Sequence, residues 1–421
     1  MTRTVTLGFI PLIDAAVPIA AAEIGFAARE GLDLRLVKEV SWANIRDRLA
    51  FRQFDVAHML APMTVASQLG IGSNPYPVVT PVALGRGGNA ITLSTALFAA
   101  MEASGEDVSA GDAASHARAL KRVVDARRAD GRPPLVFAVV YPFSAHNYEF
   151  RFFMGSAGID PDRDVRMTVV PPPLMADALM AGAVDGFCVN APWNMLAVER
   201  GAGRIVAVKA DIWPASPEKV LGMRPDLLDE DRDTACRLVV AMHAAARWCD
   251  DPANRSDLAA ILARPDRMDV PGDVVRRLLD GEVTVDPAGT VRRIPDYLRF
   301  AEGAATFPWI SQALWIYAQM LRWGQVAPSQ EAQAAAARAF RPDVWREALA
   351  GSGVPIPAQD RRVEGALAAP AEIPTLSGGP LVLPPDRFGD DRPFDPDRIE
   401  DYVSGFSVRT SLRERQALAG E

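Results

Sequence analysis

The feature that most constrains this chain is the regular exchange of short apolar strands and amphipathic helices over its first 90 residues. Residues 5–10 read as a strand, and residues 18–28 carry an apolar helical face that ends near Gly31. Residues 32–36 alternate as a strand, residues 42–51 have helical spacing, and residues 55–59 form a short apolar run of strand length. Residues 62–69 read as a helix closed by Gly70, and residues 78–84 as one more strand. Parallel neighbours need a crossover, usually a helix, so this order predicts a largely parallel sheet.

Beyond residue 90 the pattern continues at lower density. A helical, partly charged stretch at 95–130 leads to a strand at 135–140, helix character at 147–154, a strand at 165–170 and a helix at 175–181. A strand at 186–189 is placed to return the chain to the first lobe. Longer helical tracts follow at 233–249, 257–262 and 306–323. From about residue 357 the chain is rich in Pro, Gly and Asp and reads as an irregular, surface-wrapping tail. The expected organisation is α/β and two-lobed. Residues 1–90 are the first part of lobe I, 91–204 are lobe II, 205–356 are the return to lobe I with a helical part, and 357–421 are the tail. In open α/β sheets a ligand lies at the carboxyl ends of strands, here between lobes.

A chain of 421 residues is too long for one compact core. Its formal charge of −8 argues against a dedicated nucleic-acid surface, which needs clustered Lys and Arg. A small anion is compatible with that balance, because a pocket can be locally positive on an acidic protein. Cys188, Cys236 and Cys249 are odd in number and widely spaced, which fits a reducing compartment. Met1-Thr2-Arg3 runs straight into the first strand, without a secretory, twin-arginine or lipobox leader. No apolar run is long enough for a membrane span. With Met1 as the true start, the protein is expected in the cytoplasm.

Enzyme templates come out poorly. The chain has no G-x-S-x-G elbow, P-loop, H-E-x-x-H or paired C-x-x-C. Leu84-Gly85-Arg86-Gly87-Gly88-Asn89 lacks dinucleotide spacing and reads instead as bare strand-end glycines that let a ligand approach backbone N–H groups. Of the four histidines, His116 and His243 read as surface residues and His58 as a hydrogen-bonded core residue. His146 follows a strand, in Tyr141-Pro142-Phe143-Ser144-Ala145-His146-Asn147, at the start of a helix. A helix N-terminus presents free N–H groups and partial positive charge, which suits an anion, although a capping or packing role fits the same position. Trp42 opens a helix and is either packing or a pocket wall. Lys219 sits in a turn before a short strand, where a lone lysine is ordinarily solvated. None of these residues is specific alone.

As a set they resemble the nitrate- and bicarbonate-binding proteins of cyanobacterial ABC transporters and their sensor relatives. The similar stretches are Leu7-Gly8-Phe9-Ile10-Pro11-Leu12, Ser41-Trp42 with Arg46-Asp47, and His58-Met59-Leu60-Ala61-Pro62-Met63. They continue through Ala157-Gly158-Ile159-Asp160-Pro161, Val169-Val170-Pro171-Pro172-Pro173, Phe187-Cys188-Val189 with Pro192-Trp193-Asn194, and Pro217-Glu218-Lys219 with Leu221-Gly222-Met223. Trp248-Cys249 and Trp323-Gly324 complete a series that runs in order from about residue 5 to 325.

The resemblance implies a type II periplasmic-binding-protein-like fold with a helical and irregular C-terminal extension, and no enzyme activity. It implies an anion held between lobes by Trp42, by Gly88-Asn89, by His146 and by Lys219. Bicarbonate-binding relatives carry a calcium-tied acidic residue where Lys219 stands, so the resemblance favours nitrate or nitrite and neither metal nor cofactor. Two departures leave the choice between those anions open: Asn89 is shorter than the usual Gln, and Asn190-Ala191 replaces Gly-Glu. Leaderless members resemble cytoplasmic nitrate/nitrite sensors of the NasS type, which release an ANTAR-type RNA-binding antiterminator when the anion binds. Pro142-Phe143-Ser144 also resembles that version. The competing readings are the receptor of a nitrate ABC importer and, third, an enzyme using a reactive Cys or a cofactor-linked His. That last reading lacks any evident base near Cys188 or Cys236.

Overall fold

Arg3–Phe9 is the strand on which the first sheet is built, and it is flanked on both sides. Leu7 pairs in parallel with Leu36 of Leu32–Lys38 and with Val56 of Val56–Leu60. A strand covered on both faces needs a nearly unbroken apolar run, which Val5-Thr6-Leu7-Gly8-Phe9 provides. The computed structural model describes residues 2–72, 76–109 and 111–418.

The fourth strand, Lys219–Met223, lies antiparallel to Val56–Leu60, with Lys219 opposite Leu60, giving the order 219–223, 56–60, 3–9, 32–38. The second sheet has five strands in the order Arg166–Val169, Val136–Val139, Gly186–Asn190, Asn89–Ser94, Gly203–Val208. Asn89–Ser94 is antiparallel to both of its neighbours. Each sheet is therefore parallel except where a crossing segment feeds it.

Several sequence expectations change. Gly186–Asn190 lies in the middle of the second sheet and does not return the chain to the first. Gly203–Val208 also pairs in the second sheet, so the return begins after Val208 and not at residue 205. Among the described residues the predicted strand at 78–84 makes only single bridges, Val79 with Met223, Thr80 with Phe340 and Ala83 with Val220. Pro81 lacks the N–H that a ladder would need there. His116 and His243 are buried, not superficial.

The helical part packs Arg232–Asp250 against Ala16–Glu23 and Pro342–Leu349. The tail is less irregular than its composition implies. It forms the pair Ala371–Ile373 with Leu381–Leu383, and the helices Ile399–Ser404 and Leu412–Leu418. It also inserts Phe388 against Trp213, with ring centroids 4.5 Å apart and nearly stacked. Thr410 donates a 3.0 Å hydrogen bond to Asp162, so the tail reaches from the helical part to the second lobe. Among the described residues no helix is long and apolar enough to cross a membrane.

Candidate functional site

Two serines place the aromatic members of the site. Ser41 caps the helix Trp42–Ala50 by accepting the Asn44 N–H at 3.2 Å, which makes Trp42 the first helical residue. Ser144 caps Ala145–Ser156 in the same way through the Asn147 N–H at 3.1 Å, which puts His146 one residue inside. A serine oxygen satisfies one free N–H of the first turn, so each helix starts where its Ser stands.

The charged members come from the segments that cross between sheets. Asn89 is the first residue of its strand, at the end of the outward crossing. Lys209 follows Gly203–Val208 at the start of the return, and Glu218 and Lys219 end it. Leu84 N–H donates to Lys219 O at 2.9 Å, so the two crossings run side by side. Asp14 belongs to a short turn after the first strand, and that turn touches the other lobe: Ile13 N–H donates to Ala191 O at 2.9 Å.

These residues form one buried cluster. Lys219 Nζ lies 2.7 Å from Asp14 Oδ2 and 2.5 Å from Glu218 Oε1. Lys209 Nζ lies 2.7 Å from Glu218 Oε2 and 3.1 Å from Glu149 Oε1. Asn89 donates to Glu149 at 2.8 Å and also to Glu218. Ser216 Oγ donates to Glu149 at 2.9 Å, and His58 Nε2 meets Asp14 at 3.0 Å. Trp42 closes the side, its ring centroid 5.4 Å from Lys219 Nζ and 5.6 Å from that of His58. His146 Nε2 stands 3.6 Å from Glu218.

Inside this closed site the charges set each other. Burial opposes ionisation of Glu218, but Lys209 and Lys219 outweigh it and hold its carboxyl well below the ordinary range. For Asp14 burial is likewise outweighed, by Lys219 and then His58. Burial dominates at Glu149 and raises its carboxyl, despite Lys209. His146 is pushed down to about 3 by burial, which Glu218 only partly offsets, so the ring is neutral at pH 7. Two ammoniums thus face two firm carboxylates and one that resists ionising, leaving the cluster near neutrality.

The structure brings Trp42, Asn89, His146 and Lys219 together, all at most 1% exposed. Gly88 plays a different part. Its N–H is used on Tyr297 O at 3.0 Å, and with φ +80° a Cβ there would stand 2.7 Å from the Asn190 amide nitrogen. Gly88 makes room at the rim and offers no free donor. Lys219 is fully buried in the first position of its strand, where a turn and solvation had been expected.

Sequence reasoning did not weigh Asp14, Glu149, Lys209 or Glu218 as members. A signal existed for two of them, since Asp14 and Lys209 each interrupt an apolar run, and a charge in such a run is ordinarily paired. Burial pushes the Cys188 and Cys249 thiols well above their ordinary value, which suits packing and not nucleophilic chemistry. Among the described residues no group of three or more His, Cys, Asp or Glu side chains could hold a metal ion.

What the arrangement can do is bind. Trp42 Nε1 and both ring nitrogens of His146 are buried without a hydrogen-bond partner among the described residues. Each ammonium has three N–H donors, and only two on each are engaged. Uncommitted buried donors are costly unless a ligand takes them up.

Comparison with known proteins agrees with this architecture. The family described as NMT1-like matches residues 1–263. The nitrate/nitrite binding protein NrtA of Synechococcus elongatus is 34% identical over 370 residues, which is 86% of this chain and 81% of that protein. The nitrate import ATP-binding protein NrtC of Synechocystis sp. is 36% identical over 354 residues, 83% of this chain but 50% of that protein, so the chain spans about half of it. The crystal structure of the periplasmic nitrate-binding protein NrtA from Synechocystis superimposes with a TM-score of 0.83 at 26% identity, over 97% of this chain and 99% of that one. The fold is therefore the mixed α/β, two-lobed periplasmic-binding-protein-like fold, with a helical C-terminal part.

Proposed function

Because this chain belongs to the NMT1-like family, we propose that it binds nitrate or nitrite in the buried cluster and serves as a cytoplasmic sensor. In this reading it holds an ANTAR-type RNA-binding antiterminator and releases it when the anion binds, so regulating nitrate assimilation. The observation that carries the ligand assignment is the meeting of Trp42, His146 and Lys219, beside an Asn89 whose amide is spent on Glu149 and Glu218, around buried polar atoms that have no partner among the described residues. A weakly hydrated monoanion suits a closed, nearly neutral site, because it loses little solvation on entry and needs few donors. The names of the NrtA relatives point to the same ligand. The regulatory part is supported by Pro142-Phe143-Ser144, which resembles the sensor version of the turn before His146.

The switch follows from linkage. A ligand moves a conformational equilibrium only by its differential affinity for the two states. An anion touched by Trp42 from one lobe and by His146 from the other favours the closed form. A partner that prefers the open form is then weakened by the same factor by which it weakens the anion.

A second reading, the substrate-binding component of a nitrate importer, is favoured by the NrtA likeness along nearly the whole chain. Two measurements separate the readings. Calorimetry without calcium should show binding of nitrate or nitrite and none of bicarbonate; no heat with either nitrogen anion removes the ligand assignment. Nitrate titrated into a purified complex with the antiterminator should dissociate it on a sizing column. A complex that persists at saturating anion, or that never forms, removes the switch and moves the importer reading ahead.

A further inference from the structure

A cavity of about 570 Å³ opens at the C-terminal end of the helix Arg232–Asp250, and no member of the anion cluster lines it. Its walls are that helix end, the turn at 301–306, the helix Pro342–Leu349 and the tail strand Leu381–Leu383. Most charges around it are committed. Asp250 accepts the backbone N–H groups of Phe300, Ala301 and Glu302 at 2.8, 2.7 and 2.8 Å. Glu302 pairs with Arg299 at 2.9 Å, and Asp251 caps the Ala253 N–H at 2.9 Å. Arg247 is exposed and lines the cavity, and among the described residues it makes no hydrogen bond or ion pair. Most arginines of this chain are paired, so an uncommitted one at a cavity is a distinguishing feature.

Two buried side chains in the wall also hold uncommitted polar atoms. His243, 8% exposed, shares a hydrogen bond between Nδ1 and Thr306 Oγ1 at 3.0 Å and, among the described residues, has no partner for Nε2. Trp345, 1% exposed, likewise has none for Nε1 among the described residues, and its ring stands edge-on to His243 at 5.8 Å. Burial first, and the Arg247 charge second, lower His243 to about 4, so the ring brings no charge to the wall at pH 7.

We propose that this cavity is a second ligand site, distinct from the anion cluster, which takes a monocarboxylate with an apolar body. The carboxylate sits on Arg247, whose planar fork matches it in two parallel hydrogen bonds. One uncommitted cation matches one negative charge; a phosphate ester would bring nearly two beside the carboxylates of Asp250, Asp251 and Glu302. The apolar body lies against Trp345, Val354, Pro355 and Leu381. The volume is in the range of small-metabolite pockets. Thr306, which holds His243, also accepts the Ala83 N–H at 2.9 Å, next in the chain to Leu84 on Lys219. Nitrate binding therefore belongs in the test as a separate readout.

The test uses the full chain with phenylacetate, indole-3-acetate and 4-methylpentanoate as probes and phenylacetamide as the uncharged control, read by saturation-transfer NMR and calorimetry. At least one acid is expected to bind, with phenylacetamide weaker by about tenfold or more. Arg247→Gln, at an exposed position, should weaken the acid by a similar factor and leave nitrate binding and the thermal melt unchanged. Absence of binding by all three acids overturns the proposal, as does equal binding by wild type and Arg247→Gln. Parallel loss of nitrate and acid binding in that variant overturns the claim that the sites are distinct.

Discussion

The ammonium of Lys219 stands 2.7 Å from the carboxylate of Asp14, a buried pair 205 positions apart in the sequence, with Glu218 on its other side. Lys219→Met keeps the volume and removes the charge, leaving two buried carboxylates short of a partner. Stability should fall by about 3–5 kcal/mol. Adding Asp14→Asn should recover part of that loss. Denaturant titration of the two variants checks it, and a Lys219→Met protein as stable as the wild type would contradict the ion pair.

Trp42 offers a cleaner test of the ligand role, because its indole N–H has no partner to lose among the described residues. Trp42→Phe keeps most of the ring packing and should change stability by less than about 1.5 kcal/mol. Nitrate affinity should nevertheless drop about tenfold, the scale of one hydrogen bond to an anion. Calorimetry beside a thermal melt reads both; unchanged affinity would remove Trp42 from the donor set.

Glu218 joins both lysines and lies 3.6 Å from His146, so it already supplies negative charge where an incoming anion would find its cations. Glu218→Gln should strengthen nitrate binding and lower the stability of the ligand-free protein, with nitrate restoring much of it. The readout is the nitrate-dependent shift in Tm, expected to exceed that of the wild type. A smaller shift would mean that Glu218 contacts the ligand through a proton or a water and does not compete with it.

All four histidines are held below their ordinary pKa, chiefly by burial: His146 at about 3, His243 at about 4, and His58 and His116 lowered as well. The fold therefore prefers neutral rings, while the unfolded chain takes up protons below pH 6.5. Stability from this source is complete above pH 6.5 and is lost as pH falls toward 3–4. Glu218 and Asp14 add a loss only below their ordinary values of 4.5 and 3.8, and Glu149 acts in the opposite sense. His146 alone should remove about 2 kcal/mol at pH 5. Urea midpoints should decline from pH 7.5 to 5, less steeply in His146→Gln; a flat profile would contradict buried neutral histidines.

Phe388 tests the tail. It stacks on Trp213 at 4.5 Å and lies 6.2 Å from Trp315 in a parallel attitude, at 2% exposure. Phe388→Ala should cost about 3–5 kcal/mol, the scale of a buried aromatic truncated in a core. A loss under about 1 kcal/mol, measured by denaturant titration, would mean that the tail only drapes over the surface.

Local sequence determined much of this molecule. The alternation of strand and helix, the serine caps before Trp42 and His146, and their place at helix starts follow from interactions within a few residues. Such interactions are legible in one dimension, and the resemblance could collect Trp42, Asn89, His146 and Lys219 into one site. Only tertiary structure decided the electrostatics. A lysine reads as solvated unless its neighbours in space are known, and Lys219 is buried because Asp14 arrives from another part of the chain to offset its desolvation. Glu149 and Lys209 meet across Asn89 for the same reason. Strand pairing is equally non-local: the places of Gly186–Asn190 and Gly203–Val208 depend on Asn89–Ser94 lying between the latter and the former. The packing of the tail is not legible in sequence because its aromatics carry no periodicity, and only the Trp213 and Trp315 rings, brought together by the fold, give Phe388 a place to be buried.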